Sequence, residues 1–169
     1  MRGLLVGRYQ PFHKGHLEVL LEAMRKCDEL IIGIGSAQES HTLENPFTAG
    51  ERIEMIRLCL SGEKRARTIT VPIPDVNRFA IWVSHIESLV PPFKAVFTNN
   101  PLTKSLFEDK GYKVYSTKVY DRSIYSGTVI RERMLNEGDW ESLVPKQILG
   151  YLSKLDGPSR IKAATSKEE

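Results

Sequence analysis

His13 and His16, three residues apart with Gly15 between them and Arg8 upstream, are the densest group of chemically useful side chains in the sequence. They lie in Gly7-Arg8-Tyr9-Gln10-Pro11-Phe12-His13-Lys14-Gly15-His16, after the apolar run Leu4-Leu5-Val6 and before a segment with helical periodicity. A strand handing over to a helix at this point sets both imidazoles at a helix N-terminus. There, main-chain N–H groups and the helix dipole favour an anion such as a phosphate. Gly15 removes a side chain where a phosphate would approach the backbone. A metal pair is the rival reading, but no acidic third ligand stands nearby in sequence. A second group, Ser126-Gly127-Thr128-Val129-Ile130-Arg131, sets an N-cap hydroxyl one turn before an arginine on the same helix face. It reads either as a simple cap or as a second phosphate-binding terminus.

The elements that must position these residues follow from hydrophobic periodicity. Leu4–Val6 reads as a strand buried on both faces, and Leu30–Gly35 as a second, β-branched one. Between them Leu17, Val19, Leu20, Leu21, Ala23 and Met24 form the apolar side of an amphipathic helix. Strand, helix and strand within about 30 residues make a right-handed βαβ unit with parallel strands. Residues 36–47 read as a long polar loop, the length at which loops are more often functional. Thr48 and Glu51 form a capping box that opens the next helix. Residues 61–65 read as an exposed turn, and Thr68–Ile73 as a third strand. Asp75–Ala80 turns into a helix carrying Ile81, Trp82, Val83, Ile86 and Leu89, which Pro91 and Pro92 end. Ala95–Phe97 is a fourth strand, 102–110 a helix closed by Gly111, and Lys113–Ser116 a fifth strand. Ser126 opens another helix, one or two shorter helices occupy 141–155, and 156–169 reads as a frayed polar tail with a turn near Ile161. Strands alternating with helices predict an α/β fold with a doubly wound, mostly parallel five-stranded sheet. Ligands of such sheets sit beyond the carboxyl ends of the strands, where the polar clusters fall.

Composition excludes several other classes. The formal charge is +3, from 24 basic and 21 acidic side chains, too balanced for the concentrated basic face of a nucleic-acid binder. Cys27 and Cys59 lie far apart without metal-ligand spacing, and read as reduced, buried thiols. No run of 18 apolar residues exists, and Arg8 interrupts the first apolar run before it reaches secretory length. These features lead to an expectation of a cytoplasmic protein that engages neither membrane nor nucleic acid.

The segment Gly7–His16 resembles the HxGH signature of the nucleotidyltransferase superfamily, and Ser126–Arg131 resembles its second signature. Gly35-Ser36-Ala37-Gln38, Asn45–Arg52, Pro91-Pro92-Phe93 and Tyr125–Thr128 are similar to the archaeal-type nicotinamide-nucleotide adenylyltransferases. The likeness extends from Met1 to about Arg160. It implies one domain over 1–169, with a Rossmann-like core over 1–125, C-terminal helices over 126–155 and a flexible tail over 156–169. It also implies transfer of AMP from ATP to nicotinamide mononucleotide, with release of NAD and pyrophosphate. Sister enzymes that use phosphopantetheine or FMN as acceptor share both signatures, and a non-catalytic NAD or ATP sensor is the alternative from another class.

By the same resemblance His13, His16, Arg8 and Arg131 are the catalytic group. ATP would be held by Gly7, Arg8, Tyr9, His13, Gly15, His16, Ser126, Gly127, Thr128 and Arg131. The mononucleotide would meet Ser36, Phe47, Arg52, Asn77 and Trp82, with the Trp82 indole stacked on the pyridinium ring. Trp82 fits core packing on its pattern as well. Phe79 stands where the family carries an asparagine three residues before this tryptophan. Mg²⁺ or another divalent cation is expected on the ATP phosphates with no protein side chain as ligand, and the family's habit implies a homo-oligomer. His41 and His85 read as a loop histidine and a structural one.

Overall fold

The computed structural model describes residues 1–118 and 120–166. Five strands, β1 (Arg2–Gly7), β2 (Glu29–Ile34), β3 (Thr68–Pro72), β4 (Ala95–Phe97) and β5 (Lys113–Tyr115), form one sheet in the order β3-β2-β1-β4-β5. Every pairing is parallel, with Leu4 opposite Ile31 on one side and Val96 on the other. The continuous apolar runs Leu30-Ile31-Ile32 and Ala95-Val96-Phe97 are buried throughout, as strands covered on both faces require. Edge strands β3 and β5 carry only half-buried or exposed residues. The strand order reverses at β1, so the carboxyl end of β1, from which the chain continues into Arg8, is the switch point of the sheet.

Eight helices occupy the described residues: α1 (Lys14–Lys26), α2 (Ala49–Cys59), α3 (Gly62–Ala66), α4 (Phe79–Leu89), α5 (Pro101–Asp109), α6 (Gly127–Leu135), α7 (Lys146–Lys154) and α8 (Gly157–Thr165). A short 3₁₀ turn covers Glu141–Leu143. The chain divides into two compact units that are each discontinuous in sequence. The first comprises Met1–Gly7, Val19–Ala37 and Gly62–Val119; the second comprises Arg8–Glu18, Gln38–Ser61 and Tyr120–Glu169. This partition departs from the contiguous one expected, in which 1–125 forms a core and the later helices an appendage.

The first unit contains the whole sheet. Leu4, Ile31 and Val96 share one cluster with Ile73, Val83, Ile86, Val90, Phe93 and Phe107, which brings α4 and α5 onto the strands. From α1, Leu20, Ala23 and Met24 are buried at helical spacing, and Cys27 just beyond its end is buried as well. In the second unit α6 packs on α8 and α2 on α7. Ile56, Ile130, Met134, Ile148, Leu152 and Ile161 are fully buried there. Thr48 and Glu51 form the expected capping box, each side chain bonded to the other's main-chain N–H.

Three expectations change. Residues 157–165 are helical rather than frayed: Asp156, itself in a left-handed conformation, caps Ser159 N–H, and Ile161 is fully buried. The Arg160 guanidinium reaches Glu51 at 2.6 Å, which ties the segment down by an ion pair. The turn at 61–65 forms the short, exposed α3. Cys59 is only partly buried, although burial still pushes its thiol up to about 12; both cysteines are free. No helix among the described residues is long and apolar enough to cross a membrane.

Candidate active site

Within the second unit, His13 is the N-cap of α1 and His16 its third helical residue. The His16 main-chain N–H donates to His13 Nδ1 at 3.2 Å, and the His13 N–H donates to His16 Nδ1 at 3.3 Å. This is the geometry of a capping box, with two imidazoles in place of a hydroxyl and a carboxylate. The rings stack with centroids 3.5 Å apart and planes 20° from parallel. Because each Nδ1 accepts a hydrogen bond, a neutral ring must carry its proton on Nε2. Both histidines therefore offer an Nε2–H donor.

Their surroundings favour the neutral form. Burial pushes the His13 imidazole down to about 4. Burial, followed by repulsion from a charged His13, holds His16 well below its ordinary range. Tyr9 meets the His16 ring edge-on at 4.9 Å and Phe12 stacks on it at 5.7 Å. Gly15 leaves this corner open: a Cβ there would lie 3.1 Å from both the His13 ring and the Tyr125 side chain, which would have to shift by a few tenths of an ångström.

The start of α6 supplies the second terminus. Ser126 Oγ accepts the Val129 N–H at 3.2 Å, so the cap is an ordinary hydroxyl one. Arg131, buried, donates from Nη1 to the Gln10 carbonyl at 2.8 Å, and its Nη2 lies 3.4 Å from Thr128 Oγ1. A Cβ at Gly127 would stand 2.8 Å from Arg131 Nη1 and 2.9 Å from the Gln10 carbonyl oxygen, so only glycine admits that bond. Burial, then the neighbouring Arg8 charge, lowers the Arg131 pKa, with Glu44 and Glu132 acting in the opposite sense. Arg8 itself is exposed. A concentration of cationic and N–H donors around Arg8, His13, His16 and Arg131 suits a polyanion.

Beside Gly15 the second unit opens a cavity of about 580 Å³ lined by Lys14, Leu17, Tyr120, Tyr125, Pro145 and Lys146, among others. Of these, the sequence places Leu17 on the apolar side of the first helix and Tyr125 beside the second signature, and gives none of them as a cavity wall. Tyr120 is visible in the sequence only as an aromatic in a polar stretch. Gln10 was missed as well. Its side chain is buried; Nε2 donates to the Phe47 carbonyl at 2.7 Å, and Oε1 accepts the Phe47 N–H at 2.9 Å.

Three expected ligand residues, Arg52, Phe47 and Tyr9, are buried within the second unit. Arg52 is fully buried, and its donors go to main-chain carbonyls: Nη1 to Arg8 at 2.9 Å, Nε to Thr48 at 3.2 Å and Nη2 to Glu39 at 3.5 Å. It shapes the chain around Arg8. The Phe47 ring is fully buried beneath the Arg160 guanidinium, 5.7 Å away. The Tyr9 ring is likewise buried, with its hydroxyl unpaired, and it backs the His16 ring.

The remaining candidates belong to the first unit. Gly7 closes β1. Ser36, half-buried, and Asn77, exposed, both have left-handed backbones, at φ 47° and 51°. Trp82 is half-buried against the core, edge-on to Phe107 at 5.6 Å, so its ring packs and also keeps exposed surface. Phe79, at the first position of α4, is 65% exposed. His85 has Nε2 2.8 Å from the Pro74 carbonyl, a structural bond, and His41 lies exposed in its loop beside Ser40.

Comparison with known proteins was made against this geometry. Residues 4–133 match the cytidylyltransferase-like family model. The chain is 49% identical over 168 residues to the nicotinamide-nucleotide adenylyltransferase of Methanococcus aeolicus, covering 99% of this chain and 97% of that one. It is 48% identical over 169 residues to the enzyme of the same name from Picrophilus torridus, covering 100% of both. Among solved structures, a bifunctional NMN adenylyltransferase/ADP ribose pyrophosphatase from Francisella tularensis shares the fold, with a TM-score of 0.77 at 20% identity. That likeness takes in 99% of this chain and 52% of the larger one.

Proposed function

The chain belongs to the cytidylyltransferase-like family and, within it, to the nicotinamide-nucleotide adenylyltransferases, and from that premise we propose that it transfers AMP from ATP to nicotinamide mononucleotide. The products are NAD and pyrophosphate. The observation that carries the site assignment is the stacked, mutually capped His13–His16 pair, whose two Nε2–H donors stand with Arg8 and Arg131 in one unit.

An oxygen of the acceptor's 5′-phosphate attacks the α-phosphorus of ATP, and the bond to the bridging oxygen of pyrophosphate breaks, its electron pair leaving with the pyrophosphate. The phosphate is already anionic at neutral pH, so no general base is needed, and catalysis reduces to positioning and charge stabilisation. Arg8 and Arg131 supply fixed positive charge to the phosphates. His13 and His16 supply neutral donors that lie in place before the reaction and cost no reorganisation during it. Ser126, Gly127 and Thr128 bring the N-terminus of α6 to the same anion. A divalent cation, Mg²⁺ in this reading, arrives on the triphosphate as part of the substrate. Among the described residues, no group of three or more His, Cys, Asp or Glu side chains is placed to hold one.

The cavity beside Gly15 takes the adenosine, with Tyr120 and Tyr125 as aromatic walls. The acceptor's pyridinium ring stacks on the exposed surface of Trp82, as a cationic ring favours an indole face, with Ser36 and Asn77 as polar contacts. Within the second unit Arg52 holds the Arg8 carbonyl and Phe47 pairs with the Gln10 amide. The reading includes a homo-oligomer at work in the cytoplasm.

The test is product formation from ATP and Mg²⁺ with nicotinamide mononucleotide, nicotinate mononucleotide, FMN or phosphopantetheine as sole acceptor. NAD and stoichiometric pyrophosphate with the nicotinamide nucleotide are expected. Turnover confined to FMN or phosphopantetheine overturns the acceptor, and none with any acceptor overturns the enzyme.

A further inference from the structure

We propose that Gln10 is a positioning residue that sets the orientation of Arg131. This rests on the reading above, in which Arg131 holds the phosphates of ATP. The Gln10 side chain is 3% exposed, and both ends of its amide are bonded to a single residue 37 positions away: Nε2 to the Phe47 carbonyl and Oε1 to the Phe47 N–H. A side-chain amide thereby imitates a strand-like pair with the main chain of Phe47. With its side chain held at both ends, the Gln10 peptide is fixed, and its carbonyl is the acceptor for Arg131 Nη1 at 2.8 Å, across 121 residues of sequence.

A guanidinium is a rigid planar fork, so holding one terminal nitrogen fixes the directions of the remaining donors. The Gln10 carbonyl takes Nη1, while Nη2 lies at Thr128 Oγ1. The cap residue Ser126 accepts the Val129 N–H with its hydroxyl. Gly127 keeps the space between the guanidinium and the Gln10 carbonyl clear. Phe47 is a firm anchor in turn: its ring is fully buried, and Arg160 crosses over it. The line of support runs from Arg160 and Phe47 through the Gln10 amide to the Gln10 carbonyl and so to Arg131. Arg131 also stands near the like charge of Arg8, which pushes the guanidinium away if its acceptor moves.

A double-mutant cycle tests this. Gln10→Met keeps length and volume and removes both bonds to Phe47, while Gln10→Glu keeps the acceptor and removes the donor. Each is assayed for NAD synthesis in the wild-type and Arg131→Ala backgrounds, with folding checked by thermal melting. In the wild-type background Gln10→Met is expected to lower kcat and kcat/KM together by on the order of 10- to 100-fold, the scale of misplacing a catalytic contact by about 1 Å. Gln10→Glu sets a carboxylate oxygen against the Phe47 carbonyl at a buried position and is expected to lose at least as much; Gln10→Asn, which keeps the amide and draws it back from Phe47, gives the smaller loss and serves as the test if Gln10→Met fails to fold. In the Arg131→Ala background none of them changes turnover by more than about twofold, since the group they position is gone. Equal losses in both backgrounds overturn the proposal and leave Gln10 a packing residue. A wild-type rate for Arg131→Ala alone overturns the phosphate-clamp reading instead, through a variant in which Gln10 is intact.

Discussion

α1 and α6 begin with the same unmet need, main-chain N–H groups that have no helical acceptor, and they meet it differently. Ser126 caps α6 with a hydroxyl, a local solution that any helix can use, and the charge at that terminus comes from Arg131 one turn on. α1 is capped by ring nitrogens, His13 and His16 each satisfying the other's main chain. A hydroxyl cap only closes a helix. An imidazole cap closes it with Nδ1 and, in the same act, fixes the tautomer and turns Nε2–H outward. The sequence spends two histidines where one serine would serve, and the second nitrogen on each ring is the return. At α1 cap and chemistry are one structure; at α6 they are separate residues.

That contrast can be broken by substitution. His16→Ala removes a cap acceptor and a donor together and is expected to lower turnover by on the order of 10²-fold or more, with the protein still folded. An unchanged rate of NAD formation would detach the pair from the chemistry. Gly127→Ala forces Arg131 and the Gln10 carbonyl apart, with an expected loss of on the order of tenfold in kcat/KM; activity equal to wild type would mean that the guanidinium does not need that seat. Ser126→Ala is the mildest change at these two termini. It should cost about 1 kcal/mol of stability in a urea titration and move kcat by less than about threefold. Were Ser126→Ala to match His16→Ala in lost turnover, the two caps would not differ in role.

Acid sharpens the same distinction. A folded His13 pKa of about 4, against 6.5 for a free imidazole, means that the unfolded chain binds the proton first. Between about pH 6.5 and pH 4 the folded state therefore loses stability as the pH falls, by on the order of 3 kcal/mol from His13 alone at the acid end. His16 acts in the same direction. Melting temperature followed across that window should drop in the wild type and drop less in His13→Asn, while Ser126→Ala should keep the wild-type slope. A flat wild-type profile would mean that the imidazoles are not held neutral by burial.

Much of this was legible in the residues. The apolar runs at Leu30–Ile32 and Ala95–Phe97 specify central strands because a parallel sheet covered on both faces tolerates little else there. Thr48 and Glu51 announce a helix start because a capping box is local. His13, His16 and Arg131 could be found because their spacing is set by helix geometry. What escaped notice depends on partners remote in sequence. Arg52 reads as a mononucleotide contact, and its bonds to the carbonyls of Arg8 and Glu39, 44 and 13 residues away, are not local enough to be read in advance. Gln10 reads as filler before a proline until Phe47 arrives from 37 residues away. The polar stretch after Asp156 carries too few apolar residues to declare a helix, and its order comes from Ile161 burial and the Arg160–Glu51 pair.

The central claim is that His13 and His16 meet the triphosphate as neutral Nε2–H donors locked by their own caps. The most direct measurement is nitrogen-15 NMR of the histidine side chains at pH 7, with and without a non-hydrolysable ATP analogue. For both residues in the free protein the account predicts an unprotonated Nδ1 and a protonated Nε2, with the Nε2 resonances shifting when the analogue binds. Doubly protonated imidazolium rings in the free protein at that pH, or Nε2 signals indifferent to the analogue, would contradict it.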